Sequence, residues 1–184
     1  MNQTPNNEKV IIYKSSTQFT EKYAYMIGLK LHCAAFHIGI TLPLSFLSYF
    51  DTIIFGTRVH GGKIVGLKQL KKLLKNCKNS KIILFVTGAT PNTATEVIDQ
   101  LWKRNLNSEE LERIPHFYLQ SGLCYEKMRL LDKLEMKTAK LKLKKKTEKT
   151  PYEALFEEVI RDSYDISSKH CIEPLISYIT ANCE

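Results

Sequence analysis

The chain carries a hydroxyl-rich loop whose residue types suit phosphate binding. Ser15, Ser16, Thr17 and Thr20 supply four hydroxyls within six residues, directly after an apolar run and directly before a helical pattern. Hydroxyls and backbone N–H groups at the start of a helix form hydrogen bonds to a phosphate without needing a cation. The same residue types also serve as simple helix N-caps, so this loop alone leaves both interpretations open.

Two further loops have the composition of a site for a flat ligand. The segment Gly56–Lys63 contains three glycines and His60, whose imidazole ring could stack on a ligand. Thr87–Thr90 and the later Gln120–Gly122 again combine hydroxyls with glycine. Glycine lets the backbone approach a ligand closely, although such loops are also ordinary turns. A ligand site is favoured over turns only if all three loops meet at one place.

Apolar runs alternating with helical patterns predict how these loops are positioned. Predicted strands are 9–13, 33–38, 52–55, 81–86 and 116–122, and the closing helix is predicted over 167–182. Strands that are apolar at every position are buried on both faces, as in a parallel sheet covered by helices. The sequence therefore predicts an α/β fold, a doubly wound five-stranded parallel sheet in the order 2-1-3-4-5. All three loops would lie at the carboxyl edge of that sheet, where such folds bind ligands.

The segment 123–161 does not belong to the repeating strand–helix unit. Leu131, Leu134, Thr138 and Leu141 form a narrow apolar seam, which we expect to pack against the rest of the protein or a partner rather than in a bilayer. Thr150–Glu153 matches a capping box and predicts a second helix as far as about Arg161. The interpretation is one domain over 1–184, with a helical, lysine-rich insert before the last helix.

Charge and cysteine content restrict the class of protein. The formal net charge is +8, and residues 137–149, with seven lysines and one glutamate, contribute +6 of it. A single lysine-rich segment is typical of a solvated face or docking patch, so no nucleic acid partner is expected. Five widely spaced cysteines and no apolar stretch of membrane-spanning length predict a cytoplasmic protein with reduced thiols, no metal site and no membrane span.

Competing chemistries lack their required motifs. A phosphoacceptor domain of the same topology needs an aspartate after the third strand, where Gly56 and Thr57 stand. The glycine-rich motifs of nucleotide hydrolases and dinucleotide-binding enzymes are missing from the sequence. A cysteine phosphatase loop would need one more residue between Cys124 and Arg129. One further alternative stays open, a binding module that holds no cofactor and acts through the basic helix.

The segments 13–24, 51–63, 87–91 and 117–123 together resemble the flavodoxin family, and in particular the flavodoxin-domain proteins related to bacterial quinone-linked protoporphyrinogen oxidase. The resemblance implies bound FMN and a redox function, either electron transfer or a flavin-dependent oxidoreductase activity. It implies these cofactor-binding residues: Ser15, Ser16, Thr17, Gln18, Phe19 and Thr20 at the phosphate; Thr57, Arg58, Val59, His60 and Gly61 at the ring face; Thr87, Gly88, Ala89, Thr90, Gln120, Ser121 and Gly122 near the ring edge. No catalytic acid or base is assigned.

Two positions depart from the family pattern. Gln18 stands where the phosphate loop usually has glycine, so a left-handed backbone there would be strained. His60 replaces the usual larger aromatic ring. Arg58 and Lys63, expected beside the ring, would stabilise negative charge on a reduced flavin and favour an acceptor role. The insert follows the last of these loops, and its lysines would attract an acidic redox partner protein or a small anionic substrate such as a porphyrinogen carboxylate.

Overall fold

The computed structural model describes residues 8–38, 43–128, 130–149, 153–154, 157, 160 and 162–182. Its central sheet holds five parallel strands in the order β2-β1-β3-β5-β6, which confirms the predicted order when only parallel strands are counted. The strands are β1 (Lys9–Tyr13), β2 (Ala34–His37), β3 (Thr52–His60), β5 (Lys81–Gly88) and β6 (His116–Gln120). A short strand, β4 (Lys63–Ile64), pairs antiparallel with β3.

Helices cover both faces of the sheet, as the fully apolar strands predict. They are α1 (Phe19–Leu31), α2 (Leu44–Leu47), α3 (Leu67–Asn76), α4 (Thr95–Asn105), α5 (Ser108–Arg113), α6 (Leu130–Lys145) and α7 (Glu173–Ala181). Short 3-10 helices lie at Tyr125–Lys127 and Lys169–Ile172. The latter precedes α7, so the predicted closing helix begins as a 3-10 turn.

Alternate side chains of each strand enter two separate cores. Val10 and Ile12 pack with residues of α3 and α4, whereas Ile11 and Tyr13 pack with α1 and α7. This alternation follows from the two-residue period of a strand. Both cores are apolar, which explains why the central positions of β1, β3 and β5 are apolar on both faces.

The third strand is longer than the sequence predicts. Gly56–His60 was expected to be a loop, but β3 continues to His60, and a turn through Gly61 and Gly62 returns the chain along β4. Both turn glycines have positive φ, at 54° and 73°, which residues with a Cβ adopt at a cost. The prediction missed the extension because the polar Thr57 and Arg58 interrupt the apolar run. Their backbones still pair with β5.

The insert starts and ends at a two-stranded antiparallel sheet that the sequence did not indicate. Its strands, β7 (Gly122–Leu123) and β8 (Tyr164–Asp165), lie on either side of residues 124–163. Of the predicted second helix, Glu153, Ala154 and Glu157 are helical and Ile160 lies in a turn. Residues 150–152, 155–156, 158–159 and 161, which include its cap and its end, lie outside the described residues.

The described residues of the apolar seam do not pack against the rest of the protein, and packing against a partner stays a prediction. Leu134 and Leu141 are 61% and 52% exposed, Thr138 is also exposed, and the Leu131 side chain lies outside the described residues. Helix α6 instead turns its opposite face, with Asp132, Met136 and Ala139, toward the sheet edge. The reason is that this face meets charged groups of β3, as described below.

Candidate functional site

A cleft of about 1040 Å³ lies at the carboxyl edge of the sheet, where the sequence predicts a site. Its walls come from the ends of β3 and β5, the first loop, α4 and α6. The residues that line it include Thr17, Phe19, Arg58, Val59, His60, Gly61, Thr87, Gly88, Ala89, Thr90, Ser121 and Gly122. The cleft lies at the upper end of the size range of single-ligand pockets. Three sequence-distant loops are thus brought together, as a shared ligand would require.

The first loop holds two buried hydroxyls that nothing in the described part of the chain satisfies. Ser15 Oγ and Ser16 Oγ are both inaccessible to solvent and have no hydrogen-bond partner among the described residues. A buried hydroxyl without a partner costs about 1 to 3 kcal/mol, so such groups need an explanation. Phosphate oxygens accept hydrogen bonds from hydroxyls, and this donor set therefore fits an anionic phosphate group.

Gln18 adopts the backbone conformation for which glycine is better suited. Its φ of 69° and ψ of −11° are left-handed, and its side chain makes no N-cap hydrogen bond to α1. The side chain is instead held outward, where the Lys127 Nζ donates a hydrogen bond to its amide oxygen. The strain expected from the sequence is present, and the Gln18 side chain is not among the groups that line the cleft.

Three threonines at the base of the cleft use their hydroxyls within the protein. The Oγ1 atoms of Thr20 and Thr87 lie 2.8 Å apart, and the Thr87 hydroxyl is 3.3 Å from the Thr57 carbonyl oxygen. The Thr57 hydroxyl donates to the Val65 carbonyl at 2.6 Å. All three side chains are buried, and only Thr87 lines the cleft. Thr20 and Thr57, predicted as ligand contacts, instead join α1, β3 and β5 beneath the site.

A carboxylate from the insert compensates the charges at the end of β3. Asp132 Oδ2 lies 3.5 Å from an Arg58 guanidinium nitrogen, and Asp132 Oδ1 lies 3.7 Å from His60 Nε2. The Arg58 and Asp132 side chains are mostly buried, so this pair is shielded from solvent more than a surface pair. The sequence predicts Arg58 beside the ring, where its charge would stabilise negative charge on the ligand. In the structure that charge acts together with the charge of Asp132.

Two tyrosines that the sequence did not single out fix the remaining loops. The Tyr118 hydroxyl donates to the Thr90 carbonyl and accepts from the Thr90 N–H, both at 3.0 Å. The Tyr164 hydroxyl donates to the Ala89 carbonyl at 3.0 Å. Ser121 donates to the Gly88 carbonyl. The loop 88–90 is therefore held from two sides before any ligand binds.

The predicted residue Gln120 has a structural role in this arrangement. Its side-chain oxygen accepts from the Asn92 N–H at 2.9 Å, and its amide nitrogen donates to the Ile166 carbonyl at 3.1 Å. The Tyr23 hydroxyl donates to the backbone carbonyl oxygen of Gln120. Gln120 is not among the residues that line the cleft. It connects α1 and β8 to the end of β6.

The sequence predicts both helices that enclose the cleft, but it did not identify the residues of α4 and α6 that line it. Helix α4 contributes Val97, Ile98 and Leu101, and α6 contributes Met136 and Ala139. A signal for α6 existed, because residues 132, 136 and 139 have helical spacing and share the face opposite the leucines. The leucines have the stronger hydrophobic pattern, so the sequence predicted that their face of α6 would pack inward, and this was the wrong face.

The part of the chain that the structure describes offers neither a metal site nor a membrane-spanning helix. No group of three or more His, Cys, Asp or Glu side chains there could hold a metal ion. Cys33, Cys77, Cys124 and Cys171 are free thiols, and burial raises the pKa of Cys77. No helix among the described residues is long and apolar enough to cross a membrane.

A family model described as the flavodoxin domain matches residues 10–150. The chain belongs to the flavodoxin domain family. No curated protein matches it. The family supports FMN as the cofactor, and the paired hydroxyls of Ser15 and Ser16 fit the phosphate group of that cofactor.

Solved structures resemble this flavodoxin-domain protein at low identity. An archaeal flavodoxin is 12% identical, with 84% of this chain and 99% of that chain covered and a TM-score of 0.40. Oxidised flavodoxin 1 from Bacillus cereus is 17% identical over 70% of this chain and 90% of that chain, with a TM-score of 0.38. An FMN-dependent NADH-azoreductase from Bacillus anthracis, in complex with FMN, is 10% identical. The match covers 61% of this chain and 87% of that chain, with a TM-score of 0.36. The fold assignment rests on the strand order described above.

Proposed function

We propose that the protein binds FMN in the cleft and transfers electrons through it. Ser15, Ser16 and the backbone of the loop 15–20 would bind the phosphate. The backbone at Arg58–Gly61 and Gly88–Thr90, with Ser121 and Gly122, would surround the ring. When bound, FMN supplies the one- and two-electron chemistry, and the chain supplies binding, orientation and electrostatics.

The observation that carries this proposal is the pair of unsatisfied, buried hydroxyls of Ser15 and Ser16. Ordinary N-capping does not explain them, because a capping hydroxyl accepts a hydrogen bond from the helix backbone and these hydroxyls have no partner among the described residues. Neither serine is among the residues that line the cleft, but the same loop contributes Thr17 and Phe19 to the cleft wall. A phosphate at one end of the cleft would satisfy both hydroxyls.

The test replaces both hydroxyls and compares two flavins. In Ser15→Ala/Ser16→Ala, the affinity for FMN should fall at least tenfold, since a hydrogen bond to a charged group is worth about 1.5 to 3 kcal/mol. The affinity for riboflavin, which lacks the phosphate, should change little. Both affinities are measured by quenching of flavin fluorescence on titration with protein.

A matched control is the double variant Ser108→Ala/Ser177→Ala, which removes two exposed serine hydroxyls on α5 and α7, away from the first loop. Its FMN affinity should equal that of the unmodified protein. Equal losses of FMN and riboflavin affinity in Ser15→Ala/Ser16→Ala would contradict the phosphate assignment. A purified protein that is colourless and does not take up FMN would favour the flavin-free binding module.

We further propose that the acceptor or donor is a small molecule rather than a protein docked on the ring edge. The support is the position of α6, whose Asp132, Met136 and Ala139 line the cleft beside the ring loops and opposite the apolar side of α4. A protoporphyrinogen-oxidase-like reaction is the specific activity suggested by the sequence resemblance. With a quinone added as the terminal electron acceptor, FMN-loaded protein should then oxidise protoporphyrinogen to the fluorescent porphyrin faster than free FMN does with the same quinone. Equal rates would contradict this enzymatic activity, and the protein would then be an electron carrier.

A further inference from the structure

The outer face of α6 is an exposed apolar stripe, defined here as Leu130, Leu134 and Leu141. These side chains are 84%, 61% and 52% exposed. Their spacing of four and seven residues places them in one line along the helix. Single exposed leucines are normal on protein surfaces, but three aligned on one helix call for an explanation.

Lysines surround this stripe on both sides. Lys137, Lys142, Lys144 and Lys145 are exposed, and they form no ion pair with any described residue. By contrast, Lys146 and Lys149 are paired with Glu153 and Glu157 at 2.7 Å. Among the described residues, the lysines beside the leucines therefore have no acidic partner, whereas Lys146 and Lys149 have one.

The sequence predicts that this seam packs against protein rather than in a bilayer, but the structure leaves the leucines exposed. We propose that this face of α6 binds to the surface of an anionic lipid bilayer. The helix would lie in the interface plane, with its leucines in the acyl boundary and its lysines at the phosphates. Lys137 and Thr138 interrupt the stripe between Leu134 and Leu141. At a bilayer surface the Lys137 stem extends past the leucines and its ammonium stays among the headgroups, whereas a protein groove would bury that charge.

In this proposal each of the two faces of α6 has its own binding role. The inner face, with Asp132 and Met136, closes the cleft, and the outer face is left for the bilayer. The interaction does not depend on bound flavin. It therefore goes beyond the proposed redox function, and failure of one leaves the other intact.

The experiment measures co-sedimentation of the full chain with vesicles. Vesicles of phosphatidylcholine with phosphatidylglycerol should bind the protein, and vesicles of phosphatidylcholine alone should bind it at least tenfold more weakly. Raising the salt concentration should weaken binding, because the lysine contribution is screened. The same result is expected with and without added FMN.

Two double variants separate the apolar and the electrostatic contributions. Lys144→Gln/Lys145→Gln should lower partitioning about 25-fold, at about fivefold per lysine near an anionic surface. Leu134→Gln/Leu141→Gln should lower it about tenfold or more, because leucine burial in the interface is lost. All four positions are exposed, so the fold is preserved.

The controls change matched residues on other surfaces. Leu29→Gln removes a leucine on α1 that is 79% exposed, and Lys72→Gln/Lys75→Gln removes two exposed lysines on α3. Neither should alter partitioning. Absence of vesicle binding, equal binding to neutral and anionic vesicles, or no change in the leucine variant would overturn the proposal. Binding to polyglutamate without binding to vesicles would also overturn it, in favour of an acidic protein partner.

Discussion

At the scale of single residues, the first loop has two features that each lower the stability of the folded protein. Ser15 and Ser16 keep hydroxyls buried without partners among the described residues, and Gln18 holds a left-handed backbone. A non-glycine residue in that conformation costs about 1 kcal/mol or more. Such costs persist where the surrounding structure imposes them, often at binding sites. Here the loop is fixed by β1 before it and α1 after it.

Replacing Gln18 with glycine should therefore stabilise the protein. Gln18→Gly removes the steric cost of φ 69°, and we expect the free energy of unfolding to rise by about 0.5 to 1 kcal/mol. The lost hydrogen bond from Lys127 is exposed and offsets little of this. Urea unfolding gives the measurement.

The matched control for this change is Gln69→Gly on α3. The same replacement within a right-handed helix should lower the free energy of unfolding by roughly 0.5 to 1 kcal/mol. If both variants were destabilised equally, the positive φ at Gln18 would not be a source of strain.

At the scale of elements, the insert is attached to the sheet through β7 and β8. A Cβ added at Gly122 would overlap the Tyr164 carbonyl oxygen, which belongs to the backbone and cannot move aside alone. Leu123 and Tyr164 pair across the same two strands. The glycine is therefore required by the close approach of β8.

Gly122→Ala should separate β7 from β8 and loosen the insert without melting the central sheet. Amide exchange should accelerate at residues 122–128 and 162–166, and protection in β1, β3 and β5 should stay the same. Mass spectrometry of deuterium uptake gives both values. Gly61→Ala serves as the comparison, because a Cβ there meets nothing within 4 Å and the strain of its positive φ is confined to the turn between β3 and β4. Unchanged exchange of the insert in Gly122→Ala would show that β7 and β8 do not hold it.

The ion pair between α1 and β8 predicts a pH dependence. Burial raises the pKa of Asp165, but hydrogen bonds from Lys22 and Ser167 outweigh this and hold it below its usual 3.8. A carboxylate with a lowered pKa stabilises the fold fully above the unfolded value, and that contribution is lost as pH falls through the folded value. Asp165 therefore contributes at pH 6 and loses its contribution below about pH 3.8.

Asp165→Asn should consequently be less stable than the unmodified protein at pH 6, and the difference should shrink toward pH 3. Urea unfolding at a series of pH values measures it. The control, Asp99→Asn, changes an exposed carboxylate on α4 that forms no ion pair with a described residue. A difference between Asp165→Asn and the unmodified protein that is constant across this range would mean that the charge of Asp165 does not contribute.

At the scale of the whole molecule, the carboxyl edge of the sheet and the insert are joined by side-chain contacts and share the cleft. Asp132 on α6 contacts Arg58 and His60 at the end of β3, and the cleft between them is lined by both elements. A ligand in that cleft would touch several elements at once. Its binding energy would then be added to the stability of the complete fold.

FMN should therefore raise the stability of the whole chain in a concentration-dependent manner. A ligand that binds only the folded state adds about 2.7 kcal/mol at one hundred times its Kd. The melting temperature should increase with FMN concentration, and the increase should be smaller in Ser15→Ala/Ser16→Ala at the same concentration. Differential scanning calorimetry tests this. An FMN effect that is identical in both proteins would contradict phosphate binding by these hydroxyls.

The sequence by itself determined the parallel sheet, its strand order and the edge where the cleft lies. These follow from local patterns, since β1 and β5 are apolar at almost every position and each is followed by a polar loop and a helical period. Local hydrophobic periodicity survives in any compact arrangement of the chain. The loop at Ser15 and Ser16 was found in the same way.

Only the tertiary structure decided which hydroxyls are available and which face of α6 is turned inward. Thr20 and Thr57 look like ligand contacts in sequence, but their hydroxyls bond to groups 67 and 8 residues away. Asp132 meets Arg58 across 74 residues, and this contact turns the leucines outward. Such contacts depend on the relative placement of whole elements, which residue periodicity does not encode. The physical reason is that a helix with two usable faces is oriented by its partners, not by its own pattern.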